Sequence, residues 1–294
     1  MPTRYSQTSF QVTEPTELMT FLFSQFPEQG RNSVKSLLAH RQVSVDGEVI
    51  TQYNHPLNIG QKVSVQRGKV RKESQPWRLE ILFEDPHLIV IAKEAGLLSI
   101  STAQEKEQTA YSMLSAHVKK EDPKNRIFIV HRLDRETSGV MLFAKSEKVK
   151  ERLQNDWKGA VQERSYIAIV EGLVTQPEGT ITSWLKEGKT LTMHSSPTPN
   201  GGQKAVTHYR VLKKTKNHSM LEVHLETGRK NQIRVHMQDI GHRIIGDKKY
   251  GSIQNPIRRL GLHAQVLAFR HPITGEALRF EAAIPKEFQK LFHP

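Results

Sequence analysis

Short segments with strand character follow one another from Leu79 to Ala282, and this succession constrains the fold more than any other feature. Runs such as HLIVIAK, GVMLFAK and RSYIAIVEG are rich in β-branched and aromatic residues, and turn residues separate them. Few helical patterns lie between them, which argues against a doubly wound parallel sheet, where strands and helices alternate. The pattern predicts an α+β fold, with a mainly antiparallel sheet and flanking helices.

Two helices are predicted within this sheet region from apolar residues at helical spacing. In SEKVKERLQNDW, Ser146 is placed as the N-cap of a helix whose apolar stripe extends to Trp157. In NQIRVHMQDIG, Asn231 is predicted as the N-cap and Gly241 as the stop. Arg234 lies off the apolar stripe of this second helix, so it can face a cleft while the stripe packs.

A small α/β module is predicted before the sheet region. Apolar residues at helical spacing predict a short helix from Glu17 to about Phe26 and another in RNSVKSLLAHR. QVSVDGEVI then alternates around Asp46-Gly47, a tight-turn dipeptide, and GQKVSV adds a further strand. RGKVRKESQPW has no periodicity and reads as a basic linker. We therefore predict a module at 1–66, a linker at 67–78 and a main domain at 79–294.

The charge balance points to a polyanionic partner. Lys and Arg outnumber Asp and Glu 43 to 30, and the excess recurs along the chain. RNA or DNA is the leading partner class, although the charge balance by itself also fits a protein that contacts an acidic lipid surface or a soluble protein that is merely basic. The absence of cysteine excludes disulfides, zinc thiolate sites and cysteine nucleophiles. Because the apolar runs are too short to span a bilayer, we expect no membrane association and a cytoplasmic location.

Several familiar site motifs fail. EGKTLT resembles the end of a phosphate-binding loop, but the glycine required five residues before Gly188 is replaced by Ser183. The 14 histidines include no His-Glu-x-x-His pair, so no metal site is predicted. Neither a glycine-rich dinucleotide fingerprint nor a Gly-x-Ser-x-Gly elbow is present. We therefore expect no cofactor, and either cofactor-free chemistry or binding alone.

The charged cluster HRLDRETSG, residues 131–139, lies between two strand-like runs. Loops held by a sheet at both ends often carry catalytic groups. Arg132 and Arg135 flank Asp134, and neighbouring guanidinium groups favour the ionised carboxylate that a nucleophile requires. A surface turn with a weak ion pair explains the same residues. Taken alone, the cluster favours that simpler interpretation.

A second basic segment, TGRKNQIRVHMQDIG, changes this balance. It passes from a glycine turn into the predicted helix and brings Arg229, Lys230 and Arg234 close together. A helix start with nearby arginines can bind phosphate, or a carboxylate such as that of Asp134. An ordinary solvated basic face is the alternative.

At this point the chain resembles a known family. HRLDRETSGVMLFAK resembles the signature of the RluA-type pseudouridine synthases, which modify ribosomal and transfer RNA. RSYIAIVEG, TGRKNQIRVHMQDIGHRIIGDKKYG and RRLGLHAQVLAFRHPITGEALRFEAAIP resemble further family segments in the expected order, over about residues 79–290. Residues 15–66 resemble the alpha-L RNA-binding domain. The resemblance implies a cofactor-free isomerase that acts as a monomer on RNA, with ribosomal RNA first and transfer RNA as an alternative.

The resemblance also implies catalytic roles. Asp134 matches the essential carboxylate, which either attacks the anomeric carbon of the sugar or removes its 2′ proton. Arg234 matches the arginine that pairs with this carboxylate and opposes its neutralisation on burial. Tyr166 matches the tyrosine that stacks on the target base and is a candidate for removing the proton from carbon 5; without the family match, it would be interpreted as a core aromatic residue.

Binding roles follow in the same way. Arg132 is expected to enter the space that the flipped base leaves, and Leu262 to line the base pocket, with Arg229 as a further substrate contact. In the amino-terminal module, basic residues of the second helix and the turn after it are expected to bind RNA, or else to form a solvated face: Arg31, Lys35 and Arg41.

The match has departures, and two other functions stay open. KEAG at 93–96 replaces the usual Lys-Pro-x-Gly, Lys230-Asn231 replaces Thr-His, and Arg164 replaces a common lysine. An RNA-binding protein that keeps the fold without the chemistry is one alternative. A nucleoside glycosidase is the other; it requires a second carboxylic acid, for which Glu136 is the nearest candidate.

Overall fold

The structure is a computed structural model that describes residues 6–39, 42–67, 79–101, 108–188 and 190–292. The chain forms two compact units, 1–76 and 77–294, and each is described by itself. The division falls within the predicted linker 67–78. Residues 68–78 lie outside the described residues, so the predicted domain limits stay a prediction.

The first unit combines two helices with short strands. The helices are α1 (Leu18–Gln25) and α2 (Arg31–Ala39), and the strands are β1 (Ser6–Gln11), β2 (Thr16–Glu17), β3 (Val43–Val45), β4 (Glu48–Val49), β5 (Pro56–Leu57) and β6 (Lys62–Arg67). The main sheet has the order β1-β6-β3-β4, with all its pairs antiparallel. Leu18, Leu22 and Val34 are fully buried in the core that the helices share with the sheet.

The predicted helices and hairpin of this unit are confirmed. Asp46 and Gly47 both have positive φ, 49° and 89°. This is the backbone of the tight hairpin turns that match the twist of two strands, and aspartate and glycine adopt it readily. The strands β1, β2 and β5 were not predicted, because their segments lack a clear alternation of apolar and polar residues.

The second unit is built on one large sheet. Its strands are β7 (Glu80–Glu84), β8 (Leu88–Lys93), β9 (Phe128–Ile129), β10 (Ser138–Ala144), β11 (Val161–Glu171), β12 (Glu178–Glu187), β13 (Met193–Ser196), β14 (Gln203–Lys214), β15 (His218–Leu225), β16 (Leu262–Arg270) and β17 (Ala277–Glu281). The order is β13-β12-β14-β15-β11-β16-β10-β8-β7, with β17 beside β16 and β9 beside β10. Among the described strands only the β10–β16 pair is parallel. The α+β prediction is confirmed.

Five helices lie in the described part of this unit: α3 (Ala110–Glu121), α4 (Glu147–Asn155), α5 (Trp157–Ala160), α6 (Gln232–Asp239) and α7 (Lys286–Phe292). Ser146 caps α4 as predicted, because its side chain accepts from the Val149 N–H at 3.3 Å. Trp157 does not continue α4 but begins α5. Helix α3 was missed, although Thr109 and Ser112 form a reciprocal capping box at its start.

The parallel pair positions the functional loop. Ser138 pairs with His263 and Gly139 with Ala264, so β10 lies directly beside the start of β16. Gly139 has φ 119°, and a Cβ at this position would collide with the backbone carbonyl of Ala264. Only glycine permits this approach. As a result, the loop 131–137 ends next to Leu262, while Tyr166 reaches the same place from β11, paired with Ala264.

Candidate active site

An open cleft of about 510 Å³ lies in the second unit. It is formed by the loop before β10, by β11, by the segment that leads into α6 and by the start of β16. Its volume falls in the range of small-molecule sites. The cleft brings together all the residues predicted to act in this unit: Arg132, Asp134, Tyr166, Arg229, Arg234 and Leu262.

Asp134 is the central carboxylate of the cleft, with 32% of its side chain exposed. Its Oδ2 accepts from Arg234 Nη1 at 3.0 Å and from Asn231 Nδ2 at 2.6 Å. Its backbone carbonyl accepts from the Thr137 N–H at 3.1 Å, which closes the turn of the loop. Asp134 is therefore both held by α6 and open to a ligand.

Arg234 is fixed on the side away from Asp134 by Asp247, whose side chain is only 1% exposed. Arg234 Nε and Nη2 donate to the two oxygens of Asp247, both at 2.7 Å, and the guanidinium lies 5.0 Å from the ring centre of Tyr250. Burial alone would lower the pKa of Arg234, but the bonds and charge of Asp247, joined by Asp134, raise it above its ordinary value. The cation is thus permanent and its orientation fixed.

Asp247 was missed by the sequence reasoning. It is a single acid in the basic segment GDKKYG, and its oxygens also accept from the backbone N–H groups of Lys249 and Tyr250 at 3.1 Å. An acidic residue isolated among basic ones, just after a glycine, is the signal that was present. Its partner Arg234 lies 13 residues earlier, beyond the reach of local spacing rules.

The predicted capping role of Asn231 is wrong for its side chain. Asn231 does stand at the N-cap position of α6, but with a left-handed backbone (φ 53°, ψ 21°) and no side-chain cap hydrogen bond. Its amide turns to Asp134 instead. The backbone just before the helix is held by Gln232, whose Oε1 accepts from the Arg229 N–H at 2.9 Å and from Thr227 Oγ1 at 2.7 Å.

Tyr166 forms part of the apolar wall. It is half-buried on β11 and packs between the cluster containing Leu133 and the cluster containing Leu262. Burial raises the pKa of its phenol, so the hydroxyl is neutral at neutral pH. That hydroxyl has no hydrogen-bond partner among the residues that the structure describes. A polar tip on an apolar wall suits a site that receives a flat, partly polar ring.

The loop of Asp134 is braced from behind by the KEAG turn. Nζ of Lys93, whose residue is 2% exposed, donates to the carbonyls of Glu94, Leu97 and Arg135 at distances of 2.9, 2.7 and 3.1 Å. Gly96 N–H also donates to the Arg135 carbonyl at 2.8 Å. Burial lowers the pKa of Lys93 to about 7, against the opposing charge of Glu136. Glu94 stands where the family usually has proline, but the preceding Lys93, which holds the loop, is retained.

The remaining predicted residues differ in how firmly they are held. Arg132 is exposed, and within the described part of the chain no hydrogen bond or ion pair restrains its guanidinium. Arg229 is anchored, because its Nε donates to the Lys204 carbonyl at 3.2 Å. Lys35 is exposed on α2. The side chain of Arg31 and all of Arg41 lie outside the described residues.

Glu136, the acid that a glycosidase would need, does not line the cleft. It is exposed, and its Oε1 lies 3.9 Å from Arg135 Nε. It lines a different cavity, together with Lys93 and Arg259. The glycosidase alternative therefore loses its candidate acid.

Two further kinds of feature are absent from the described residues. No cluster of three or more His, Asp or Glu side chains is arranged to bind a metal ion. No described helix has both the length and the apolar character needed to cross a membrane.

Comparison with known proteins gives a consistent result. A family model described as RNA pseudouridylate synthase matches residues 87–239. An uncharacterised RNA pseudouridine synthase of Synechocystis is 36% identical over 92% of this chain and 86% of its own length. Ribosomal large subunit pseudouridine synthase D of Vibrio cholerae is 34% identical over 90% of this chain and 87% of its own.

A solved structure agrees with the sequence relatives. Human RNA pseudouridylate synthase domain containing 4 superposes with a TM-score of 0.60 at 25% identity, over 73% of this chain and 92% of that one. The resemblance of the main domain to the pseudouridine synthases is confirmed. The resemblance of residues 15–66 to the alpha-L RNA-binding domain stays a prediction. The chain belongs to the RNA pseudouridylate synthase family and is an isomerase that converts uridine in RNA to pseudouridine.

Proposed function

We propose that this enzyme modifies specific uridines of large-subunit (23S) ribosomal RNA, and that it does so by flipping each target base into the cleft of Asp134. The RNA target is inferred from two related proteins, one from Vibrio cholerae and one from Pseudomonas aeruginosa. Each is named ribosomal large subunit pseudouridine synthase D. Flipping is required by access, because a catalytic carboxylate cannot reach the sugar carbon of a stacked, paired nucleotide. The excess of 43 basic over 30 acidic residues fits such a substrate.

One observation carries the assignment of Asp134 as the catalytic carboxylate. It lies in the cleft with one oxygen bound by Arg234 and Asn231, and Arg234 is itself locked to Asp247. A base seated above the carboxylate removes water and would favour its neutral form. The fixed guanidinium opposes this change by placing a positive charge against the carboxylate. The carboxylate can then either attack the anomeric carbon or remove the 2′ proton.

The proposed reaction needs little else from the protein. The bond from base nitrogen 1 to the sugar breaks, and its electron pair stays on the base. The base turns within the cleft, carbon 5 bonds to the sugar and loses its hydrogen as a proton, and nitrogen 1 takes up a proton, so that the product is an isomer of the substrate. Tyr166 and Leu262 supply the wall against which the base turns. Because Tyr166 is a neutral phenol, its oxygen can accept the carbon-5 proton only as its own proton departs.

Arg132 is proposed as the residue that fills the vacated stack. It is exposed at the edge of the cleft and is not restrained by any described partner, so its planar group is free to insert between bases. Unstacking costs a few kcal/mol on order-of-magnitude grounds, and remote phosphate contacts can offset this cost. We assign such contacts to Arg229 beside the cleft and to Arg31, Lys35 and Arg41 in the first unit.

A map of pseudouridine across all cellular RNA tests the target. We expect that deleting the gene removes one or a few pseudouridines from 23S ribosomal RNA, and that wild-type protein but not Asp134→Asn restores them. If the lost sites lie in transfer RNA, the ribosomal assignment is wrong while the enzyme assignment stands. If no site is lost, the proposal of a cellular RNA target fails.

A further inference from the structure

The two oxygens of Asp134 are not equivalent. Oδ2 accepts both from Asn231 Nδ2 at 2.6 Å and from Arg234 Nη1 at 3.0 Å. Two donors occupy its lone pairs. No described residue donates to Oδ1, although the carboxylate is exposed to the cleft. One oxygen is therefore saturated by the protein and the other is left for the substrate.

The direction of the Asn231 amide follows from its other partners. Lys249 Nζ lies 3.2 Å from Asn231 Oδ1 and can only donate. The Tyr250 hydroxyl lies 3.1 Å from the same atom and already accepts from the Met193 N–H at 3.1 Å, so its own hydrogen points to Asn231. With two donors on Oδ1, the Nδ2 group faces the carboxylate of Asp134.

The backbone of Asn231 explains why an asparagine can do this. Its φ of 53° lies in the left-handed region, which asparagine, aspartate and histidine enter several times more often than other side chains. In this conformation the side chain makes no cap hydrogen bond to α6, and its amide donates to Asp134 instead. The residue thus gives up a helix cap to hold the carboxylate.

We propose that Asn231 is a positioning residue which, together with Arg234, binds Oδ2 of Asp134 and so presents Oδ1 as the oxygen that reacts at the sugar. Lys249 and Tyr250 act through it by fixing the amide. This inference rests on the proposed catalytic role of Asp134. It gives a role to Asn231, which lies where the chain has Lys230-Asn231 in place of its family's usual Thr-His pair.

A pair of substitutions at Asn231 separates the donor from the fold, because both new residues tolerate the left-handed backbone. Asn231→Asp keeps an acceptor for Lys249 and Tyr250 but places a second carboxylate oxygen against Asp134. We expect kcat to fall about 100-fold, as for a small misplacement of a reacting group, with KM changed less than about threefold. Asn231→His keeps an N–H donor, and we expect kcat within about tenfold of wild type.

The assay is pseudouridine formation on the RNA that contains the mapped site, with urea unfolding measured for each variant. Asn217→Asp, an exposed turn residue, controls for the added charge and should behave as wild type. The inference is overturned if Asn231→Asp keeps kcat within about threefold of wild type, or if Asn231→His falls as far as Asn231→Asp.

Two further variants keep the test decisive. If Asn231→Asp does not fold, the double variant Lys249→Met/Tyr250→Phe carries the test, because it removes both donors that fix the amide. We expect a lower kcat at an unchanged KM, whereas an unchanged kcat contradicts the inference. Asp134→Asn separates this inference from the proposed function. Turnover by Asp134→Asn would refute the catalytic role of Asp134 itself, whatever the result at position 231.

Discussion

Replacing Asp247 by asparagine tests whether the distant carboxylate sets the geometry of the cleft. The carboxylate accepts two bonds from Arg234 at 2.7 Å and one each from the N–H groups of Lys249 and Tyr250 at 3.1 Å. An amide has one oxygen, and its NH₂ group would face a donor. The side chain of Asp247 is 1% exposed and that of Arg234 is 12% exposed, so water cannot replace the lost partner.

The magnitude follows from this burial. Breaking a buried ion pair on one side costs about 3–5 kcal/mol, and Arg234 keeps Asp134 as a second partner. We therefore expect Asp247→Asn to lower the free energy of unfolding by about 3 kcal/mol. Because Arg234 can then rotate, we also expect kcat to fall about 100-fold.

The assays are urea unfolding and pseudouridine formation, the latter under conditions in which the variant is folded. Asp239→Asn is the matched control, since it removes an equal charge from an exposed carboxylate on the helix that carries Arg234. If Asp247→Asn is as stable and as active as this control, the reasoning that Asp247 orients Arg234 is wrong.

Three further predictions concern the brace, the base wall and the first unit. The pKa of Lys93 is lowered from 10.5 to about 7, so between these values the unfolded chain binds a proton that the folded chain does not, and stability should rise with pH in this window. The free energy of unfolding in urea should be higher at pH 9 than at pH 7 in wild type, and this difference should be absent in Lys93→Met. The same pH dependence in both proteins would contradict the prediction. Tyr166→Phe should keep RNA affinity and lose pseudouridine formation, while Tyr166→Leu should also weaken binding, by about 1–3 kcal/mol of stacking; a fully active Tyr166→Phe excludes the hydroxyl from the proton transfer. Replacing Arg31, Lys35 and Arg41 together by glutamine should reduce the slope of log binding constant against log salt by about 2–3, and an unchanged slope in a filter-binding titration removes them from the RNA interface.

Local patterns in the sequence predict much of the fold, because local chemistry creates them. The Asp46-Gly47 turn and the Ser146 cap depend on neighbours within a few residues, and both appear as expected. Helix α3 carried equally local signals, with Thr109 as its cap and Leu114 and Val118 on its buried face, and was missed in reading a segment dominated by strands.

The candidate site shows where local patterns stop. The family resemblance assigned Asp134 and Arg234 to one another across 100 residues, and the structure brings them together. The supports of this pair could not be found in the same way, since Lys93 reaches the Arg135 carbonyl across 42 residues and Asn231 reaches Asp134 across 97. Asn231 was interpreted as a helix cap because its position favours that role. Only the three-dimensional arrangement shows that a nearby carboxylate takes its donor instead.

Asp134 is the carboxylate that we propose to carry out the isomerisation in this cleft. The most direct test of this role is the release of tritium from RNA labelled at carbon 5 of uridine, because the hydrogen on that carbon must leave when the new bond to the sugar forms. Wild-type protein should release tritium from the target RNA, and Asp134→Asn should release none while binding the same RNA with similar affinity. Release by Asp134→Asn at the wild-type rate would contradict the catalytic role of Asp134.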